Sequence, residues 1–345
     1  MKGMIVIMVS NPLVKRIGIL TSGGDAPGMN AAIRGAVRTA QCIGIECVGI
    51  RHGYAGLIRG DFIPLGEKDV KGITKRGGTM LYTARSMEFM SDEGKKRAAD
   101  TCNYMGIEGL IVIGGDGTFT GARGLADLGI KVIGIPCTID NDIGCSSYTI
   151  GFDTACNTAI EAVDRLGDTM QSHERCSVVE VMGHRTGYLA LNVGIATGAT
   201  ITLIPEVEYD FERDVIGRIR TARLAGRTHF MVIVAEGAEP VHVIADRIKE
   251  ATGIETRVTA LGHVQRGGAP LMRDRVTATS MGYRAVMLLA SGQGGRIVAM
   301  NGDKVCDIDI YEAIGMTKEF DMDVYKMFTT LTFLDNTEVD ISHEF

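Results

Sequence analysis

Two short stretches carry residue types that can handle a phosphate: Gly114-Gly115-Asp116-Gly117-Thr118 and Thr138-Ile139-Asp140-Asn141-Asp142. Glycines in the first let backbone N–H groups approach anionic oxygens, and a helix behind them would point its positive end the same way. The second offers two carboxylates two residues apart, enough for one base and one metal or hydrogen-bond partner. Their order along the chain gives a kinase-like layout. Basic groups gather in turns as well: His173, Arg175, Arg185, Arg257, His263, Arg266, Arg273 and Arg275. Each alone reads as a solvated charge. Together with glycine-rich loops they suggest one phosphate donor and one phosphorylated acceptor. His263-Val264-Gln265-Arg266-Gly267-Gly268 is the most specific of these stretches, because two donors and a Gly-Gly turn directly follow a strand-like run.

Loops of this kind need strands to deliver them. Apolar runs at 109–113 and 131–135 end at the two polar stretches, which puts both at one end of a sheet, where open α/β sheets bind ligands. A third run at 17–21 leads into Ser22-Gly23-Gly24-Asp25 and then a helical pattern over 31–42, so a second phosphate-facing loop is expected. Residues 46–50 read as the next strand, and residues 76–79 with 83–85 as a polar loop offering Arg85 to an anion. Strands are expected at 177–182, 201–204, 229–235 and 256–261, alternating with helices at 186–197, 211–224 and 241–252. That alternation predicts an α/β protein with mostly parallel sheets, helices on both faces and two intertwined lobes.

Charged residues at 23% and hydrophobic ones at 45% of 345 residues give an ordinary soluble balance with enough apolar material for a core. A net charge of −6 argues against bulk nucleic-acid binding. Eight cysteines lie singly, without C-x-x-C or zinc spacing, which suits a reducing compartment; Cys137 stands out in falling beside the acidic loop. No stretch reaches the length of a membrane span, and residues 1–9 are too short an apolar run for a signal peptide. A short extension with Met4 or Met8 as alternative starts, and a cytoplasmic location, are expected. Two rival readings attach to the glycine loop. Gly115-x-Gly117-x-x-x-Gly121 imitates the dinucleotide fingerprint of an NAD-dependent dehydrogenase, although its third glycine is one residue late. A tight turn without any ligand is the bland alternative.

In order, TSGGDAPGMNAAIRG at 21–35, RGGT and TAR within 76–85, IGGDGT at 113–118, TIDNDI at 138–143, YTIGFDTA at 148–155, SHER at 172–175, VEVMG at 179–183 and LGHVQRGG at 261–268 are similar to the ATP-dependent 6-phosphofructokinase family. The resemblance covers roughly residues 15–315. It implies a phosphofructokinase-like fold of two Rossmann-like lobes: a nucleotide-binding lobe (1–151 with 265–315) and a sugar-phosphate-binding lobe (152–264 with 316–345). It also implies transfer of the ATP γ-phosphoryl group to the C1 hydroxyl of fructose 6-phosphate. Asp140 would be the base, with Thr138 and Asp142 organising its loop. Asp116 would hold Mg²⁺, and Gly24, Arg85, Ser86, Gly115, Gly117 and Thr118 would cradle ATP. Met182, Gly183 and Glu236 would contact the sugar. His263 and Arg266 would bind the 6-phosphate together with Arg175 and Arg257 from a neighbouring subunit of a homotetramer. Gly117 favours ATP, since pyrophosphate-using relatives tend to place Asp there; Cys137 matches neither group.

Some positions depart from the family's pattern. His184 stands where the family places a phosphoryl-stabilising arginine, with Arg185 one residue late. A histidine lacks the arginine's permanent charge and fork of donors, so weaker catalysis is expected, with Arg185 compensating in part. At the family's effector site Arg34, Arg38 and Arg227 remain as candidate phosphate ligands, while Glu67, Gly167, Ala225 and Thr200 replace charged groups. Met90 stands where a basic residue often flanks the nucleotide. These changes keep open a low-activity paralogue that senses sugar phosphate and partners an active subunit.

Overall fold

The computed structural model describes residues 11–332, so the extension expected over residues 1–9 lies outside the described residues, as does the end of the tail. Chain order is β1 (Arg16–Thr21), α1 (Met29–Cys42), β2 (Glu46–Ile50), α2 (Gly53–Arg59), β3 (Phe62–Leu65), α3 (Asp92–Tyr104), β4 (Gly109–Gly114), α4 (Asp116–Ala126), β5 (Val132–Thr138), β6 (Ile150–Gly151) and α5 (Phe152–His173). It continues through β7 (Cys176–Val181), α6 (Tyr188–Thr197), β8 (Ile201–Leu203), α7 (Arg218–Leu224), β9 (Phe230–Ala235), α8 (Val241–Thr252) and β10 (Thr256–Ala260). The last elements are α9 (Met272–Ala290), β11 (Arg296–Asn301), β12 (Lys304–Asp309), α10 (Ile310–Gly315) and α11 (Met322–Thr332).

Two compact units result. One runs to Ala155 and resumes over His263–Glu319; the other takes Cys156–Gly262 and the chain from Phe320 onward. The first unit holds a sheet of order β12-β11-β5-β4-β1-β2-β3, with β6 pairing β5. Strands β2, β1, β4, β5, β11 and β6 run parallel, and antiparallel β3 and β12 close the edges. Parallel strands are covered on both faces, so they read as unbroken apolar runs. Accordingly β4 is buried at every residue and β1 at all but its first. The second unit holds the all-parallel sheet β10-β7-β9-β8 over its own core, which includes Val178, Phe230, Val232 and Ile244.

The helix expected over 211–224 opens as a π-helical turn (Phe211–Gly217), where the Asp210 side chain caps by accepting from the Arg213 N–H at 2.7 Å. Strand periodicity gives no sign of β3 or β12, both largely half-buried.

The order of the central strands decides where a ligand can sit. β1 connects through α1 to β2 on one side, whereas β4 connects through α4 to β5 on the other. The neighbours β1 and β4 are therefore a topological switch point, the place where the loops leaving two strand ends part and leave a crevice.

Candidate active site

Three loops leave that strand edge: 22–28 after β1, 115–118 after β4 and 139–149 after β5. The first two are stitched together. Ser22 N–H donates to Ile113 O (3.0 Å), and Thr118 Oγ1 donates to Ser22 O (3.1 Å). Asp116, Gly117 and Thr118 form the first turn of α4, where the Thr118 N–H already donates to Gly115 O (2.9 Å). A side chain at Gly117 would meet nothing within 4 Å, so this bare backbone faces open space where an anion can approach. A methyl on Gly24 would run into the Arg266 guanidinium at 2.6 Å, and Arg266 Nη1 donates to Asp25 O (3.3 Å). Arg266 thus lies against the first glycine loop.

The 76–85 segment covers the same loop. Asn30 Nδ2 donates to Arg76 O and Gly77 O, its Oδ1 accepts from Met80 N–H, and Thr83 Oγ1 donates to Gly23 O (2.7 Å). Arg85 is exposed beyond it, and Ser86 Oγ accepts from Phe89 N–H.

The Asp140 loop is a self-bonded turn. Thr138 Oγ1 donates to Asp140 Oδ2 and accepts from Asp140 N–H, both at 3.2 Å. Asn141 adopts a left-handed backbone (φ 52°), which Asn tolerates better than most residues. Its Oδ1 accepts from Thr149 N–H at 3.1 Å, while Thr149 Oγ1 donates to Thr138 O at 2.8 Å. Asp140 is buried and Asp142 half-buried. Asp116 reaches solvent at its tip, yet partial desolvation, and then the Asp142 carboxylate, push its carboxyl above the usual range. Two carboxylates that repel one another are a fitting donor set for a divalent cation. Mg²⁺ commonly takes only one or two carboxylates and completes its shell with phosphate oxygens and water. Among the described residues no group of three or more His, Cys, Asp or Glu could hold a metal.

In the second unit, β7 and β9 lead directly into Met182 and Glu236. Glu236 Oε1 accepts from His184 N–H at 2.7 Å, pinning the turn after β7, in which Gly183 and His184 both have positive φ (141° and 55°). His184 and Arg185 are both exposed on this turn. Arg175 and Arg257 are also brought together: Arg175 Nε donates to Glu255 Oε2 (2.8 Å) and Arg257 bonds the other oxygen, which holds the Glu255 carboxyl below its usual range. This trio lies at the N-terminal ends of β7 and β10, opposite to the end that carries Met182, Gly183, His184 and Glu236. The six residues of β7, at about 3.3 Å each, separate Arg175 from Met182. His263 is exposed on a short helical turn of the first unit.

Arg34 and Arg38 line a cavity of about 680 Å³ in the first unit, where Arg38 is paired with Glu67 at 2.5 Å. Arg227 lines one of about 520 Å³ in the second unit with Asp164, Gly167, Asp168 and Thr200. Sequence reasoning missed Tyr54, whose hydroxyl donates to Thr118 O (2.6 Å) while its ring stacks on Phe89. It also missed Thr149 and Asp274. Their partners are far away in the chain or are backbone atoms, so no local motif marks them.

A family model described as Phosphofructokinase matches residues 16–289. The ATP-dependent 6-phosphofructokinase of Clostridium tetani is 48% identical over 93% of this chain and 100% of its own length. Among solved structures, phosphofructokinase from Saccharomyces cerevisiae superposes with a TM-score of 0.85 at 32% identity, over 92% of this chain and 50% of the yeast chain. A pyrophosphate-dependent phosphofructokinase from Marinobacter aquaeolei shares the fold, with a TM-score of 0.80 at 20% identity.

Proposed function

The chain belongs to the phosphofructokinase family, and from that premise we propose that it transfers the γ-phosphoryl group of ATP to the C1 hydroxyl of fructose 6-phosphate, a step of glycolysis, with Asp140 as the base. The observation that carries this reading is the meeting of three loops at the β1/β4 switch point. There the first turn of α4, open to solvent at Gly117, and the buried Asp140 carboxylate share one strand edge.

Phosphoryl transfer asks little covalent chemistry of a protein; alignment and charge neutralisation do most of the work. The N–H groups of the α4 first turn and of the Gly23-Gly24 loop would receive the nucleotide phosphates, with Arg85 and Ser86 beside them. Asp140 would accept the sugar hydroxyl proton, its carboxylate aimed by Thr138. Mg²⁺, held through Asp116, would neutralise charge on the phosphate oxygens. Met182, Gly183 and Glu236 would contact the sugar. His263, Arg266 and the Arg175–Arg257 pair would bind the 6-phosphate, the pair serving a neighbouring copy. A homotetramer is the assembly proposed.

Family membership at this identity favours the enzyme over the sugar-phosphate sensor and leaves the dehydrogenase without support. The test is the purified chain with fructose 6-phosphate and MgATP, following ADP release. Turnover is expected, and Asp140→Asn should lower kcat by about 10²- to 10⁴-fold. Sugar-phosphate binding without product would instead favour the sensor.

A further inference from the structure

We propose that Asp274 is a positioning residue that sets the geometry of the Asp140 loop from the opposite side of β6, an inference that rests on the activity proposed above. Asp274 lies near the start of α9 with none of its surface exposed. A carboxylate so placed is costly unless donors satisfy it. Four do, and all come from one short stretch of chain. Oδ1 accepts from the Tyr148 hydroxyl and from Gly151 N–H (2.7 Å); Oδ2 accepts from Thr154 N–H (3.0 Å) and from the Thr154 hydroxyl. The Thr154 hydroxyl in turn accepts from Leu271 N–H at 2.9 Å, and the Arg273 guanidinium lies 4.2 Å over the Tyr148 ring. Burial pushes the Asp274 carboxyl up, and the donors from Thr154, Tyr148 and Gly151 hold it back. Two oxygens meeting four donors is the pattern an ionised carboxylate satisfies in full.

What the carboxylate grips matters more than the grip. Residues 148–154 include β6, whose two residues pair with Cys137 and Thr138 at the end of β5. They also include Thr149, which bonds Thr138 O and Asn141 Oδ1 on either side of Asp140. The same segment presses on the first glycine loop: a methyl on Gly151 would meet Ala26 Cβ at 2.7 Å, and one on Gly28 would meet Ile150 Cγ2 at 2.4 Å. One buried charge on α9 therefore fixes a strip of backbone bonded to the Asp140 turn and packed on the first glycine loop. A small shift of that strip moves the base relative to the loop proposed to hold the donor.

Wild type, Asp274→Asn and Val286→Ala are compared as full chains with fructose 6-phosphate and MgATP. The last shortens a fully buried side chain on the same helix, about three turns on, and leaves the four donors untouched. Asp274→Asn should lower kcat by about tenfold or more with both KM values within about threefold, as expected for misalignment rather than lost binding. It should also speed hydrogen exchange in residues 138–151. Val286→Ala should lose thermal stability while keeping kcat within about twofold of wild type and exchange in 138–151 unchanged. A wild-type kcat in folded Asp274→Asn, a loss confined to KM, or an equal kcat loss in Val286→Ala at matched stability would overturn the inference. If Asp274→Asn does not fold, Tyr148→Phe and Thr154→Val decide the matter: each removes one donor and should lower kcat in the same way, and unchanged kcat in both sinks the idea. An inactive wild type would overturn the proposed activity instead, and the exchange comparison would still decide whether Asp274 holds the loop.

Discussion

At the scale of single residues, position 184 is the sharpest departure from the family's pattern. The turn that carries His184 is held by Glu236, and its left-handed backbone is one that histidine enters more readily than most residues. His184→Arg should therefore raise kcat if the permanent charge is what the site lacks. A gain of about tenfold or more is expected, small beside the effect attributed to arginine fingers. Equal, brisk turnover in both proteins would show that Arg185 or another group already supplies the charge. Gly117 offers a complementary test. Because a side chain there meets no neighbour, Gly117→Asp should fold normally and harm ATP use through charge repulsion alone. An unchanged melting temperature with KM for ATP raised about tenfold or more is the expected result. A fall in stability would point to packing instead.

Gly117 and Asp140 were legible in the sequence because their chemistry is local: a strand, a turn and a carboxylate within a few residues. Tyr54 and Asp274 were not. Each acts on a partner that no spacing rule brings near it, as with Tyr54 and Thr118 or Asp274 and Gly151.

Among elements, most of the parallel strands read clearly from sequence because burial on both faces writes them as apolar runs, whereas β6 and β11 were not expected. The antiparallel edge strands β3 and β12 carry mixed residues and were hidden, and so was the part played by the segment after α10. There Lys318 Nζ donates to Ser146 O (3.1 Å) and Ser147 O (3.3 Å), tying that segment to the chain just beyond Asp142. Burial pulls its ammonium down to about 8, against the opposing pull of Asp142 and Cys145. A free lysine titrates near ~10.4. Between about 8 and that value the folded protein binds fewer protons than the unfolded chain, so this group makes stability rise with pH across the window. Below it, the buried charge is a standing cost. Lys318→Met should remove this contribution, seen as a smaller gain, or a larger loss, in melting temperature between pH 8 and pH 10.5 than in wild type. Identical pH dependence in the two proteins would show that Lys318 is not the cause.

For the molecule as a whole, the two cavities carrying the candidate effector residues set carboxylates among their cations, the one at Arg34 and Arg38 being lined by Lys68 and Lys71 as well. Arg38 is already paired with Glu67, and Arg227 shares its cavity with Asp164 and Asp168. Phosphate groups are held by clusters of cations, and a nearby carboxylate works against them. Little change in the fructose 6-phosphate saturation curve is therefore expected on adding ADP or phosphoenolpyruvate, and a marked shift with either would contradict that.

The second unit's sheet has a further consequence. Glu236 stands past the end of β9, whereas Arg257 stands at the start of β10, and all strands of that sheet run the same way. If one bound sugar phosphate needs both residues, two copies must each lend a different half. Glu236→Ala and Arg257→Ala proteins, each inert by itself, should then rescue one another when unfolded together and allowed to reassemble. Random mixing would leave about a quarter of the sites with both halves intact. Activity in the blend of two dead proteins would be the signature of borrowing between copies, and continued silence would mean that each chain keeps its own ligand.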